Sequence, residues 1–124
     1  MSRIFFAIGA GLALVGVAAG AFATHGLEGR LSADALATFE TGVRYQIYHA
    51  LALLALAWAG RQWPHGLWDV SGWLFVAGIA LFSGSLYALA LGGPRWLGAV
   101  APLGGTSLLA GWALSVLAAL RGGA

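Results

Sequence analysis

The sequence predicts an all-α polytopic membrane protein: a four-transmembrane-helix bundle with a short interfacial amphipathic helix between helices 1 and 2. Three observations predict it. Hydrophobic residues make up 60% of the 124 positions and charged residues 8%, and six arginines with four acids cannot cover the surface of a soluble domain, so the bilayer becomes the solvent. Four runs free of Asp, Glu, Lys and Arg follow one another, at 4–24, 45–60, 70–91 and 97–120, each near the length that crosses a hydrocarbon core. Between them fall polar, glycine- or proline-bearing segments suited to turns. The length is that of one domain, so residues 1–124 read as a single integral membrane unit. A net charge of +2 without a basic cluster argues against nucleic acid as a partner. The absence of cysteine excludes disulfides and thiolate metal sites.

The first span, Ile4 to Thr24, is roughly 21 residues and about 31 Å long as a helix. Its start resembles a signal peptide, and Ala19-Gly-Ala21 could pass as a cleavage motif. The apolar run is long for that role, however. Gly16-Val-Ala-Ala-Gly20 is the spacing that lets two membrane helices touch backbones. Thr24 to Arg30 reads as a short polar turn. Ser32 then reads as an N-cap with Asp34 in the first helical turn. Leu36, Phe39 and Val43 recur at helical spacing opposite Asp34, Thr38 and Thr41, which predicts an interfacial helix over about 32–43, with Gly42 as the place to turn inward.

The second span, 45–60, is short, and Arg44 can snorkel to lengthen it. Arg61 to Asp69 reads as a loop broken by Pro64. Trp58, Trp63, Trp68 and Trp73 around it read as an interfacial aromatic belt. In the third span, Ala80, Gly84 and Ala88 form a small-residue face suited to close packing. Gly92-Gly-Pro-Arg95 is a tight turn. The fourth span carries Ser107, Gly111 and Ser115 at intervals of four, and Pro102 with Gly104 and Gly105 in its first half predicts a kink. Glycine-rich faces on three helices make a homodimer an expected assembly.

Threading the spans up and down puts both termini on one side. Arg3, Arg61 and Arg121 lie there, and Arg30, Arg44 and Arg95 lie on the other. The positive-inside count ties; reading Arg44 as part of a buried site breaks the tie, and both termini are expected in the cytoplasm.

The same threading gathers the intramembrane polar residues into the half away from the termini. His25 ends helix one there, Arg44, Tyr45, Gln46 and His49 begin helix two, and Ser83, Ser85 and Tyr87 fall late in helix three. An ionisable group in a span points to function. These eight residues are therefore the expected lining of a polar pocket for a small ligand or lipid headgroup, with Arg44 attracting an anion. The plain alternatives stay open. His49 could be satisfied by Tyr87 or by a carbonyl freed at Pro102, and the serines could back-bond to their own helices. His25 and His49 could instead ligate a haem or a metal across the bundle, although no HExxH or ExxH pattern accompanies them. Nothing in the sequence specifies a cofactor or an enzymatic substrate, so a binding or accessory role is favoured over catalysis, and a purely structural scaffold is the third reading.

Several segments together resemble a known family. Ala21-Phe-Ala-Thr-His-Gly-Leu27 is similar to its Gly-Ala-Phe-Gly-Ala-His-Gly-Leu, and Tyr45-Gln-Ile-Tyr-His-Ala-Leu51 to its Tyr-Gln-x-x-His-Ala-Leu. Phe82-Ser-Gly-Ser-Leu-Tyr-Ala-Leu89, Ala101-Pro-Leu-Gly-Gly105 and Gly111-Trp112 resemble its remaining segments. The family is the domain of unknown function 423 family, small inner-membrane proteins with a eukaryotic relative called transmembrane protein 256. Ala101 stands where the family usually has threonine, and Ala-Thr replaces Gly-Ala before His25. The resemblance implies a bacterial inner-membrane, multi-pass protein and singles out Gly26, Pro102, Gly104 and Gly105 as motif positions. It carries no established activity.

Overall fold

Helix follows helix, each antiparallel to the last. The computed structural model describes residues 2–123, with α1 at Ser2–Phe22, a π-helical turn at Ala23–Leu27, α2 at Ala33–Gln62, α3 at Leu67–Ala90 and α4 at Leu97–Arg121. α2 packs against α1 on one side and α3 on the other, and α3 packs against α4. Ser2 and Gly123 lie at the same end of the bundle, both beside Pro64, whose carbonyl accepts the Gly123 N–H at 3.2 Å.

Local signals account for most boundaries. Ser32 caps α2, its Oγ accepting the Ala35 N–H at 3.1 Å. His65 serves α3 similarly, with Nδ1 accepting the Leu67 N–H at 3.1 Å. Gly92, at φ +98°, supplies the left-handed residue of the α3–α4 turn.

Several expectations need correction. The interfacial helix over 32–43 and the span over 45–60 are not separate; α2 is one continuous helix of 30 residues. Gly42 does not turn the chain. It lets α3 approach instead: a Cβ there would lie 2.8 Å from the Tyr87 ring, and the Gly42 carbonyl accepts the Ser83 hydroxyl at 2.7 Å. Nor do four helices qualify as spans by length and apolarity. Among the described residues three do, at Ser2–Leu27, Leu67–Ala90 and Leu97–Arg121. α2 falls short because Arg44, Gln46 and His49 dilute its apolar stretch on one side and Arg61 and Gln62 on the other.

Glycines and serines set the helix contacts. Gly9, Gly16 and Gly20 bring α1 onto α2, where added Cβ atoms would meet the Ala50 carbonyl, Ile47 and Val43. Gly78, Gly104 and Gly111 do the same between α3 and α4. There the Ser107 hydroxyl donates to the Leu74 carbonyl at 2.7 Å, and the Ser71 hydroxyl reaches the Gly111 carbonyl. This is the small-residue packing that substitutes for a hydrophobic driving force between helices in lipid. α4 continues unbroken through Pro102.

The Ala80–Gly84–Ala88 face, expected to pack, points away from the other helices, and nothing lies within 4 Å of a Cβ built on Gly84. Gly84→Ala should therefore leave thermal unfolding in detergent unchanged, or raise stability by up to about 1 kcal/mol through helix propensity. Trp68 also departs from the belt. It is 7% exposed in the core and donates its indole N–H to the Trp63 carbonyl at 2.9 Å, whereas Trp58, Trp63 and Trp73 remain exposed.

Two apolar clusters result. One, at the terminal end, is built on Phe5, Leu53, Leu56, Trp68, Phe75 and Leu108. The other, at the far end, is built on Leu27, Phe39, Val43 and Ala90. The buried polar residues of α2 lie where these clusters meet.

Candidate functional site

Helical spacing puts Gln46 and His49 one turn apart on α2, but their side chains serve different neighbours. Gln46, 3% exposed, ties three helices. Its Nε2 donates to the Leu12 carbonyl of α1 at 2.8 Å, and its Oε1 accepts the Tyr87 hydroxyl of α3 at 2.6 Å. His49, 5% exposed, reaches the Tyr45 carbonyl through Nδ1 at 2.8 Å and accepts the Trp112 indole N–H at Nε2, 2.9 Å away. An indole can only donate, so Nε2 carries the lone pair and Nδ1 the proton. The ring is thus a neutral link between α2 and α4, wrapped by Phe75 and Trp112 at centroid distances of 5.5 and 5.7 Å.

Beside His49 a cleft of about 450 Å³ opens between α2, α3 and α4. Tyr45, His49, Phe82, Pro102, Thr106 and Trp112 line much of it. Trp112 also borders a smaller hollow of about 190 Å³ toward Ala59 and Ser115. The indole therefore stands as a partition in a groove running along the α2–α4 side. The walls are aromatic and aliphatic. Their polar features are the exposed Tyr45 and Thr106 side chains and the His49–Trp112 bond, and such a surface suits an apolar or aromatic molecule entering sideways from a bilayer.

Of the eight residues expected to line one polar pocket, this cleft brings together Tyr45 and His49, with Pro102 and Gly105 of the motif positions. The others lie elsewhere. Ser83 is sealed between α2 and α3 by its bond to Gly42, and Ser85 back-bonds to the Phe82 carbonyl. Tyr87 is occupied with Gln46. Arg44 is exposed and donates to Thr41 Oγ1 at 3.1 Å. His25 is exposed in the π-helical turn, where a Cβ on Gly26 would strike the Phe22 ring. Gly104 is consumed by the α3–α4 contact. The eight-residue pocket does not form because a helix presents successive polar residues to different neighbours.

The two-histidine haem or metal site does not assemble either. Gln46, a turn from His49, bonds Leu12 of α1, and His25 lies thirteen residues beyond Leu12, in the π-helical turn, on the order of 20 Å away. Both His49 nitrogens are already engaged. Among the described residues no three of His, Cys, Asp or Glu converge on a common point.

The partners of His49 escaped sequence reasoning. Trp112 is 63 residues away, and neither helical period nor charge flags it. The available signal was chemical: a tryptophan facing a bundle needs an acceptor for its N–H.

A family model described as "Protein of unknown function (DUF423)" matches residues 19–105. The "UPF0382 membrane protein YwdK" of Bacillus subtilis is 43% identical over 120 residues, covering 96% of this chain and 98% of that protein. The "UPF0382 membrane protein SERP0230" of Staphylococcus epidermidis is 42% identical, covering 96% and 97%. The "UPF0382 inner membrane protein YgdD" of Escherichia coli is 42% identical over 121 residues, covering 97% and 92%. No solved structure matches the chain.

Proposed function

The chain belongs to the DUF423 family of proteins of unknown function, and on that premise we propose that it is a membrane-embedded binding protein. Its ligand would be an apolar or aromatic small molecule, taken from the bilayer into the cleft beside His49. The observation that carries this reading is the cleft itself: about 450 Å³, aromatic-walled, and crossed at one end by the Trp112–His49 bond. His49 would act here by holding Trp112 in place, and Tyr45 would offer its hydroxyl to the ligand.

In this reading α2 crosses the bilayer with the other three helices, and the location is the inner membrane named for the Escherichia coli relative. Support for the fourth crossing comes from pairing. Hydropathy counts Gln46 and His49 as though lipid met them, whereas each turns inward to bonded partners, which removes most of the insertion cost.

A second reading, a scaffold whose polar groups only fasten helices, has an observation of its own. Among the described residues no buried side-chain nitrogen or oxygen lacks a hydrogen-bond partner. Gly105→Leu separates the two. A Cβ there meets nothing closer than the Phe82 ring at 3.8 Å, so the new side chain grows into the cleft without parting the helices. Native mass spectrometry of the purified variant should show loss of a small molecule that the wild type retains, at an unchanged melting temperature. If wild type and variant carry the same molecules, the cleft is not a binding site and the scaffold reading stands.

A further inference from the structure

A second groove lies on the α1-facing side of α2, at the end of the bundle that holds Ser2 and Arg61. It has a volume of about 560 Å³, and Arg3, Phe6, Leu54, Ala57, Trp58 and Arg61 form most of its wall. Helical spacing builds it. Arg3 and Phe6 share a face of α1, and Leu54, Trp58 and Arg61 share a face of α2. Because the two helices run antiparallel, both arginines fall at the same end, and the apolar side chains continue from them toward the middle of the bundle.

We infer that this groove binds an anionic phospholipid of the leaflet on the terminal side, with the phosphate between Arg3 and Arg61 and an acyl chain laid along Phe6, Leu54 and Trp58. The charge pattern selects this occupant. Two guanidiniums from different helices converge on one groove, and no acidic side chain lines it. Asp69 belongs to a neighbouring cleft with His65 and Trp68. Guanidinium groups match phosphate oxygens as paired donors, and arginines at headgroup depth draw anionic lipid. Trp58, 57% exposed, supplies an amphipathic ring of the kind that sits at the interface. A soluble anion would gain nothing from the apolar continuation, whereas a lipid uses both halves. The site is separate from the cleft beside His49, so either assignment can fail without the other.

The test uses full-length protein in phosphatidylcholine vesicles containing a minor fraction of acyl-brominated phosphatidylglycerol or acyl-brominated phosphatidylcholine. Bromine quenches tryptophan on contact, and subtracting the signal of the exposed-site variant Trp58→Phe isolates Trp58. The phosphatidylglycerol should be preferred in that difference signal, and each of Arg3→Gln and Arg61→Gln should lower the preference about fivefold. The charge-retaining pair Arg3→Lys/Arg61→Lys should keep most of it. Equal quenching by the two lipids, or a preference that survives in Arg3→Gln/Arg61→Gln, overturns the assignment.

Discussion

Gly104→Ala should lower the stability of the detergent-solubilised protein by about 2–4 kcal/mol, although it adds a single methyl group. The site leaves no room for that methyl. A Cβ on Gly104 would lie 2.3 Å from the Phe82 backbone nitrogen and 2.8 Å from its Cα. Backbone cannot rotate aside as a flexible side chain can, so α3 and α4 must part. Parting them also loosens Gly78 against Leu108, and it lengthens the serine bonds along the same contact. Gly84→Ala is the matched control, since it makes the same chemical change on α3 in open space. Equal melting temperatures for the two variants would mean that α3 and α4 do not meet this closely.

Gln46→Leu is expected to cost about 1–3 kcal/mol. Interhelical hydrogen bonds in membranes average well under 2 kcal/mol each, but this change removes two and strands the Tyr87 hydroxyl in a half-buried site. The Leu12 carbonyl suffers less, because its own helix already supplies a partner. The double variant Gln46→Leu/Tyr87→Phe should therefore recover much of the loss, since replacing both partners by apolar groups removes the stranded hydroxyl. A double-mutant cycle by unfolding in mixed micelles checks this, and strictly additive losses would show that Tyr87 and Gln46 are not coupled.

These two positions show how unevenly the sequence exposes its structure. The helices were legible because a bilayer demands long apolar runs and tolerates few charges, and 60% hydrophobic residues with four uncharged runs leave little else to build. The Ser32 cap and the Gly92 turn were legible because local chemistry alone determines them. Gly42 was misread for a physical reason. Glycine serves a turn and a close helix contact equally well, and only the Tyr87 ring lying against it tells them apart. Gly84 failed in the opposite direction: its spacing suits a helix contact, but no helix lies on that face.

The candidate site was half legible. His49 stands out in any reading because an imidazole among apolar residues demands an explanation. Grouping it with Arg44, Gln46, Ser83 and Tyr87 rested on their shared depth in the membrane, and depth does not determine direction. The 100° turn between successive residues sends Gln46 to α1 and α3, His49 to α4 and Arg44 outward. Trp112 joined the site only through the packing of α4 on α3, which brings its indole within reach of His49 on α2.

By itself, the sequence determined that this chain is helical, that long apolar runs carry most of it, and which family it belongs to, because each of these follows from local composition or from residue order. The tertiary structure alone decided which polar group meets which. It joined α2 into a single helix, turned Gln46 into a three-helix junction, paired His49 with Trp112, and aligned Arg3 with Arg61 at one end. The reason is that hydrogen bonds and close contacts between helices depend on rotation about each helix axis, and that rotation is set by the summed packing of all four helices.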